Sequence, residues 1–273
     1  MESVMEMRML KKSVYAGVLL ILAVSFGGAT SLSDAYQDGV TAARNGQFNV
    51  AVAKLRGLAE NGDTQAQYAL GYSYERGFGV PQDYAQSARW YRLAADKKHY
   101  WARINLGLLL ARGRGLPQDK SKAKEWINLA AEQSGPKERY EIGLLFSGLD
   151  PVFDAALAFR WLHDAALQGF PKAQKTLAKM YSIGRLISKD YKKAEFWMLK
   201  AAEQDYAPAQ VLLGRWYWSG EVIPINRVQA HRWYSRAASQ GFKFARERLT
   251  EITKKMTSSE IGEAKRLEAT PRN

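Results

Sequence analysis

Cysteine is absent from all 273 residues of the chain, and this absence excludes several classes of protein. Without thiols there can be no disulfide framework, no thiolate metal site and no lipid attached through an N-terminal cysteine. Histidine is also scarce, with three residues at positions 99, 163 and 231. They stand at unrelated positions of the repeat described below, a spacing that does not predict a shared metal site.

Sequence signatures of catalysis are missing as well. The chain contains neither G-x-S-x-G nor the zinc-binding H-E-x-x-H. Its Gly-x-Gly motifs, at residues 77–79 and 113–115, follow helical patterns, whereas the nucleotide-binding fingerprint follows a strand. We therefore predict that the protein is not an enzyme, that it has no catalytic, cofactor-binding or metal-binding residues, and that it uses no cofactor.

Acidic residues are outnumbered, since 27 Asp and Glu stand against 40 Lys and Arg, which gives a formal net charge of +13. This excess favours anionic partners such as an acidic protein or peptide, a cell-wall polymer, an acidic polysaccharide or lipid headgroups. Nucleic acid would also fit the charge, but the export signal described next argues against it.

The first 29 residues have the pattern of a secretory signal peptide. Cations between residues 8 and 12 precede an uncharged, mostly apolar run over residues 14–26, and small residues follow. The run is too short to span a bilayer as a helix, so we expect cleavage after Ala29, with Ser31 as the alternative site. An uncleaved N-terminal anchor is the other possibility, and it would be the protein's only attachment to a membrane. Both outcomes predict a periplasmic or secreted location.

A pattern that recurs about every 36 residues dominates the rest of the chain. Each of five units has a tryptophan, an Ala-Ala pair four residues after it, and a small residue upstream of it. A fixed period of this length is typical of a solenoid, in which each unit packs on its neighbours. The tryptophans are Trp90, Trp126, Trp161, Trp197 and Trp233, and the small residues are Gly71, Gly107, Gly143, Ala178 and Gly214.

Each unit is predicted to form two helices joined by a glycine-containing loop. In the first helix Ala, Leu and a large residue recur at i, i+4 and i+8, and the small residue lets a partner helix approach closely. The second helix begins at an Asp or Asn, which we interpret as an N-cap and not as a catalytic group. We interpret the tryptophan and Ala-Ala columns as core. The cap residues are Asp83, Asp119, Asp154, Asp190 and Asn226.

These columns resemble the Sel-one-like repeat family, a branch of the tetratricopeptide-type helical solenoids. Residues 66–95 carry the family pattern nearly in full, and the third repeat, which begins at Lys137 in place of Ala, is the most divergent. The resemblance implies an all-α fold, a right-handed α-solenoid superhelix of antiparallel helix pairs whose first helices line a concave face. It also implies an adaptor, since exported bacterial members resemble envelope-assembly or host-interaction factors. The matching residues of the first repeat are Leu70-Gly71, Tyr74, Gly77, Gly79-Val80, Asp83, Trp90-Tyr91 and Ala94-Ala95.

We predict a signal peptide over residues 1–29, an N-terminal cap helix pair over 30–65, five repeats over 66–244, and C-terminal cap helices with a tail over 245–273. In the last segment, Thr257 to Glu260 matches a capping box that opens a short helix. The individual repeats are predicted at 66–101, 102–136, 137–172, 173–208 and 209–244.

The predicted function is a non-enzymatic scaffold that mediates protein–protein interaction in the bacterial cell envelope through its concave face. Side chains off the core stripe of the first helices vary between repeats and mix basic with aromatic groups, as a recognition surface for an acidic partner would. The same positions also fit the solvated face of amphipathic helices. The candidate residues are Tyr72, Glu75, Arg76, Asn105, Arg112, Arg139, Tyr140, Lys175, Lys179, Arg215 and Trp218.

Two other functions stay open. A module that binds cell wall or acidic polysaccharide would use the same charge, with salt-sensitive binding and no protein partner. An envelope enzyme, such as a cell-wall hydrolase or a β-lactam-acting protein, is disfavoured because that activity is associated with cysteine-rich relatives in the family. The aromatic pairs Tyr100-Trp101 and Trp216-Trp218 leave at least one ring off the core stripe, which suits either burial against an adjacent repeat or a partner contact.

Overall fold

A computed structural model describes residues 34–148 and 154–269, and every regular element within these ranges is an α-helix. The all-α repeat fold predicted from the sequence is therefore confirmed. The predicted signal peptide lies outside the described residues. Within these ranges no helix combines the length and hydropathy needed to cross a membrane. The chain divides into two compact units between Glu132 and Gln133.

The described residues of the first unit form six helices, each packed on the next along the chain. The N-terminal cap has the predicted form of a helix pair, because Gly46 turns the chain with a φ of 74° and Ala51 and Leu55 are buried between the helices. The six helices are α1 (Asp34–Arg44), α2 (Phe48–Glu60), α3 (Thr64–Arg76), α4 (Tyr84–Asp96), α5 (Tyr100–Arg112) and α6 (Lys120–Glu132).

The second unit contains eight helices within its described residues, and again neighbours in sequence pack together, while α14 packs on α12. The predicted capping box before α14 is present, because Glu260 accepts a hydrogen bond from the Thr257 backbone N–H at 2.7 Å and the Thr257 hydroxyl accepts from the Glu260 N–H at 3.2 Å. The helices are α7 (Pro136–Gly148), α8 (Ala155–Leu167), α9 (Pro171–Ile183), α10 (Tyr191–Glu203), α11 (Ala207–Ser219), α12 (Arg227–Ser239), α13 (Lys243–Thr253) and α14 (Ser258–Ala269).

The predicted N-caps of the second helices are confirmed in all five repeats. The Asp83 side chain accepts from the backbone N–H groups of Ala85 and Gln86, and in the other four repeats the cap residue accepts from the N–H three residues later. These bonds satisfy donors that the first turn of a helix leaves without a partner. The recurrence of Asp or Asn at this position of each repeat is thus explained by helix initiation, without a catalytic role.

The tryptophan column is core in four of the five repeats. Trp90, Trp161, Trp197 and Trp233 are each at most 8% exposed, and the alanines of the pairs beside them are almost entirely buried, except for Ala238, which is partly buried. Trp126 departs from the prediction, because its side chain is only half-buried, with the Arg92 guanidinium 5.9 Å from its ring centroid. The core of each unit is thus built from the repeated columns.

Candidate functional site

The predicted recognition residues fall into two groups because the chain forms two units. In the first unit, the first helices of the repeats are α3 and α5, and in the second unit they are α7, α9 and α11. Helix α3 carries Tyr72, Glu75 and Arg76, α5 carries Asn105 and Arg112, α7 carries Arg139 and Tyr140, α9 carries Lys175 and Lys179, and α11 carries Arg215 and Trp218.

Two of the first unit's candidates belong to a buried hydrogen-bond network and not to an open surface. The Tyr91 hydroxyl of α4 donates to Glu75 at 2.8 Å and accepts from the Asn105 amide at 3.1 Å. Tyr91 is fully buried, and burial together with the Glu75 charge raises its pKa well above the usual range. Glu75 and Asn105 therefore tie α3 and α5 to α4, which gives both side chains a structural task.

The remaining candidates of the first unit, Tyr72, Arg76 and Arg112, lie in the C-terminal halves of α3 and α5. Arg76 is exposed at the end of α3, where its guanidinium lies 5.5 Å from the centroid of the Tyr72 ring. Tyr72 is half-buried, and its pKa is raised by that burial. Arg112 is exposed at the equivalent end of α5. Among the candidates of the first unit, the exposed charged residues are Arg76 and Arg112.

The second unit presents a more concentrated basic surface. Lys172, Lys175 and Lys179 stand at i, i+3 and i+7 on α9, the spacing that places side chains on one face of a helix. Burial lowers the pKa of Lys175, and the positive charges of Lys179 and Lys172 lower it further. No carboxylate of the described residues lies within ion-pair distance of these three lysines. Lys175 is thus repelled by both neighbours, while a carboxylate lies near Lys172, because burial raises the pKa of Glu141 and the charges of Lys137 and Lys172 oppose that rise.

Aromatic rings surround the middle of this row. The Lys175 ammonium lies 5.6 Å from the centroid of Tyr206, and the rings of Tyr140 and Phe170 are 5.4 Å apart. All three rings are partly exposed. Tyr140 was predicted, but Phe170 and Tyr206 were missed, although the sequence carries a signal for them. They stand 36 residues apart and each directly precedes a first helix.

Arg139 does not belong to that open surface. It is half-buried, with its guanidinium 5.8 Å from the centroid of the Trp161 ring. It stands four residues before Gly143, in the column that holds Arg103, Gln174 and Gln210 in other repeats. Side chains in this column donate hydrogen bonds to backbone carbonyl oxygens near the end of the preceding second helix. The donors are Arg103, Gln174 and Gln210, and the acceptors are Ala95, Ala166 and Ala202 respectively, at 3.0 to 3.1 Å.

This column also corrects the register of the third repeat. Counting back five residues from Gly143, as from Gly71 to Ala66, places Glu138 and not Lys137 at the position of the first alanine. In the third repeat the loop between the two helices is one residue shorter than in the other repeats. Counting back from Trp161 across this loop therefore places the start of the first helix one residue too early.

The candidates on α11 differ in exposure. Arg215 is exposed, with its guanidinium 3.5 Å from the Glu221 carboxylate, an ion pair between two solvated groups. Trp218 is partly buried against the core around Tyr234, and Trp216 is 2% exposed. Arg215 is thus available to a partner, whereas most of the Trp216 and Trp218 surface is used in packing.

Two of the three histidines have local explanations. His99 caps α5, where its ring nitrogen Nδ1 accepts from the Ala102 backbone N–H at 3.1 Å, and burial lowers its pKa to about 4. His163 stacks on Phe159 with ring centroids 5.3 Å apart. Across residues 34–148 and 154–269, no group of three or more His, Asp or Glu side chains is placed to hold a metal ion.

Comparison with known proteins identifies the family. The Sel1 repeat model matches residues 64–99, 102–135, 138–170, 171–206 and 207–242, which together make up more than half of the chain. The chain therefore belongs to the Sel1 repeat family. Sel1 repeat proteins are typically protein–protein interaction scaffolds and are generally non-catalytic.

One solved structure supports the same assignment. The chain is 27% identical to a Sel1 repeat protein from Oxalobacter formigenes, with a TM-score of 0.55, over 80% of this chain and 90% of that one. It is 28% identical to c5321, a protective antigen of uropathogenic Escherichia coli with an SLR fold, with a TM-score of 0.40, over 85% of this chain and 58% of that one. A search of curated proteins gave no significant match.

Proposed function

We propose that the protein is a non-enzymatic cell-envelope scaffold that binds an acidic segment of another protein. The contact surface is the basic face of the second unit, formed by Lys172, Lys175 and Lys179 of α9 and Arg215 of α11. The observation that carries the proposal is the row of three lysines on α9, none of which has a carboxylate of the described residues within ion-pair distance, although Glu141 lies near Lys172.

Physical chemistry connects this row to an acidic partner. Like charges held on one helix face raise the energy of the free protein, and an anionic segment laid across them removes that repulsion. Charge complementarity of this kind also accelerates association and selects against basic partners. The half-buried rings of Tyr140, Phe170 and Tyr206 add flat apolar area beside Lys175, where a bound chain would exclude water.

The proposed location is the periplasm or the exterior of the cell. Support comes from residues 1–29, whose cations, apolar run and small-residue exit have the pattern of an export signal. An exported scaffold of this family would meet envelope proteins, and its basic face would also meet anionic cell-wall polymers.

Affinity capture from cell envelopes tests the proposal. The full sequence is expressed with a C-terminal tag, beside a variant with Lys175→Glu and Lys179→Glu. A matched control carries Lys120→Glu and Lys192→Glu, the same charge change at exposed positions of the second helices α6 and α10. The proposal expects one protein retained by the parent and the control and lost from the basic-face variant.

Two results would contradict it. If all three chains retain the same proteins, the basic face is not the contact surface. If none retains a protein and all sediment equally with purified cell wall, a polysaccharide-binding module replaces the scaffold. Repeating the capture at raised salt measures the electrostatic share of binding, because screening weakens contacts between exposed charges.

A further inference from the structure

A cavity of about 540 Å³ opens in the first unit. It lies between α2, the end of α3 and the beginning of α4, and its wall includes Arg56, Tyr74, Arg89 and Trp90. Its volume falls within the ~300–1,000 Å³ that is usual for small-ligand sites.

One arginine of the wall is held in place. The Arg56 guanidinium donates to the Tyr74 hydroxyl at 2.9 Å, and its side chain is half-buried. This bond fixes the planar group across α2 and α3 while using one of its five N–H donors. Arg89 reaches the same cavity from α4 and is exposed. Arginines from two different helices, Arg56 and Arg89, therefore line one cavity, and guanidinium groups are suited to bidentate recognition of a carboxylate.

The acidic residues of the wall limit the charge of the ligand. Asp83 lines the cavity, but its carboxylate accepts from the N–H groups of Ala85 and Gln86 as the cap of α4. Glu60 is exposed at the same wall. With two guanidinium groups against two carboxylates, a second negative charge on the ligand would be repelled, so a monoanion fits better than a dianion.

We propose that this cavity, the carboxylate pocket, binds a single carboxylate group of a peptide between Arg56 and Arg89. The Trp90 ring forms part of its wall, and its indole N–H has no acceptor among the described residues. The pocket is a second binding site, formed by α2, α3 and α4 of the first unit, and it shares no residue with the basic face of the second unit.

The test uses NMR of the full chain labelled with ¹⁵N, in which the indole N–H signal of Trp90 is assigned by comparison with Trp90→Phe. Three probes are titrated: acetyl-alanyl-alanine with a free carboxylate, the same dipeptide as its C-terminal amide, and inorganic phosphate. The proposal expects a saturable shift of the Trp90 signal with the free carboxylate, none with the amide, and weaker binding of phosphate.

Single substitutions show which side chains of the pocket contribute to carboxylate binding. Arg89→Gln is expected to weaken the carboxylate probe at least about tenfold, a change of ~1.4 kcal/mol. Arg92→Gln is the matched control, since Arg92 is an exposed arginine of the same helix whose guanidinium faces the Trp126 ring. Glu60→Gln is expected to tighten the carboxylate probe, because it removes a repelling charge from the wall.

The proposal is overturned if no saturable shift occurs, if the amide shifts the signal as much as the carboxylate, or if phosphate binds more tightly than the carboxylate. It is also overturned if Arg89→Gln and Arg92→Gln have equal effects. None of these results depends on Lys175 or Lys179, so failure here leaves the basic-face scaffold standing, and failure of envelope capture leaves the pocket standing.

Discussion

A Cβ atom placed on Gly71 would lie 2.5 Å from Cδ1 of the Tyr91 ring, closer than real Cβ atoms approach their neighbours. The missing side chain on α3 is what lets the Tyr91 ring of α4 lie flat against it. The Tyr91 hydroxyl then reaches Glu75 and Asn105. The repeated small residue of this chain therefore serves helix packing, as the sequence predicted.

Gly71→Ala should destabilise the fold. Forcing a methyl group into this contact costs about 1–3 kcal/mol, which exceeds the ~1 kcal/mol that alanine gains over glycine in a helix. Gly57→Ala in α2 is the control, because a Cβ there would meet no atom within 4 Å, and it should stabilise by ~0.5–1 kcal/mol. Urea unfolding at neutral pH measures both. Stabilisation by both substitutions would refute the packing role.

Asp190 should make stability depend on pH through its cap. Its carboxylate accepts from the Lys193 backbone N–H, and this bond is the main cause of its lowered pKa. A lowered folded pKa means that the contribution is present above the ordinary value of 3.8 and is lost as the pH falls through the folded pKa.

The variants Asp190→Ala and Asp190→Asn separate capping from charge. Asp190→Ala should lower the urea midpoint at pH 7 and reduce the loss of stability on acidification, whereas Asp190→Asn should cap nearly as well, as Asn226 does in the fifth repeat. Unfolding curves at pH 7 and pH 3 provide the comparison. An alanine variant as stable as the parent at pH 7 would show that the cap contributes nothing.

Arg103 should be replaceable by glutamine at lower cost than by methionine. Its buried side chain donates to the carbonyl oxygens of Ala95 at 3.1 Å and Leu129 at 2.7 Å. Methionine leaves both carbonyls without this donor, at about 1–3 kcal/mol each, whereas glutamine keeps the Ala95 bond, as Gln174 does for Ala166. Thermal and urea unfolding measure the order of stability. If both variants lose the same stability, the hydrogen bond to the Ala95 carbonyl does not stabilise the fold.

The repeat period made most of the fold predictable. Helix pairs, caps and packing glycines recur, so each column was seen five times in one sequence, and an error in one repeat was outweighed by the others. Trp126 shows the limit of this reasoning, because exposure depends on what covers a position and not on the column alone. Leu186 shows another, since it adopts a φ of 67° where the first two repeats have Gly79 and Gly115.

The candidate surface was less predictable, because a side chain can differ between repeats for two reasons. It can make a buried contact that exists in one repeat, or it can lie exposed on the surface. Glu75 and Asn105 serve a structural contact, because both bond to the buried Tyr91 hydroxyl between α3 and α5. Lys175 and Lys179 vary and stay at or near the surface. The sequence pattern alone does not separate these cases, because the Tyr91 hydroxyl contacts residues 16 and 14 positions away on two other helices.

Export should remove the N-terminal segment. Mass spectrometry of the protein isolated from its native cells should give an N-terminus at Thr30, since the small residues before it suit signal peptidase. A tag placed at the C-terminus leaves the processing site unchanged and serves for purification. An N-terminus within residues 1–12 would show that the signal is retained.

Photocrosslinking in living cells tests the central claim most directly. A photoreactive residue at Leu144 keeps every cation of the basic face, because this exposed leucine follows Gly143 on α7 as Lys179 follows Ala178 on α9. The same residue at Leu167, exposed at the end of α8, is the control. The scaffold account predicts one protein adduct from position 144, lost when Lys175→Glu and Lys179→Glu are added, and none from position 167. Adducts of equal yield at both positions, or an adduct at 144 that survives the two lysine substitutions, would contradict it.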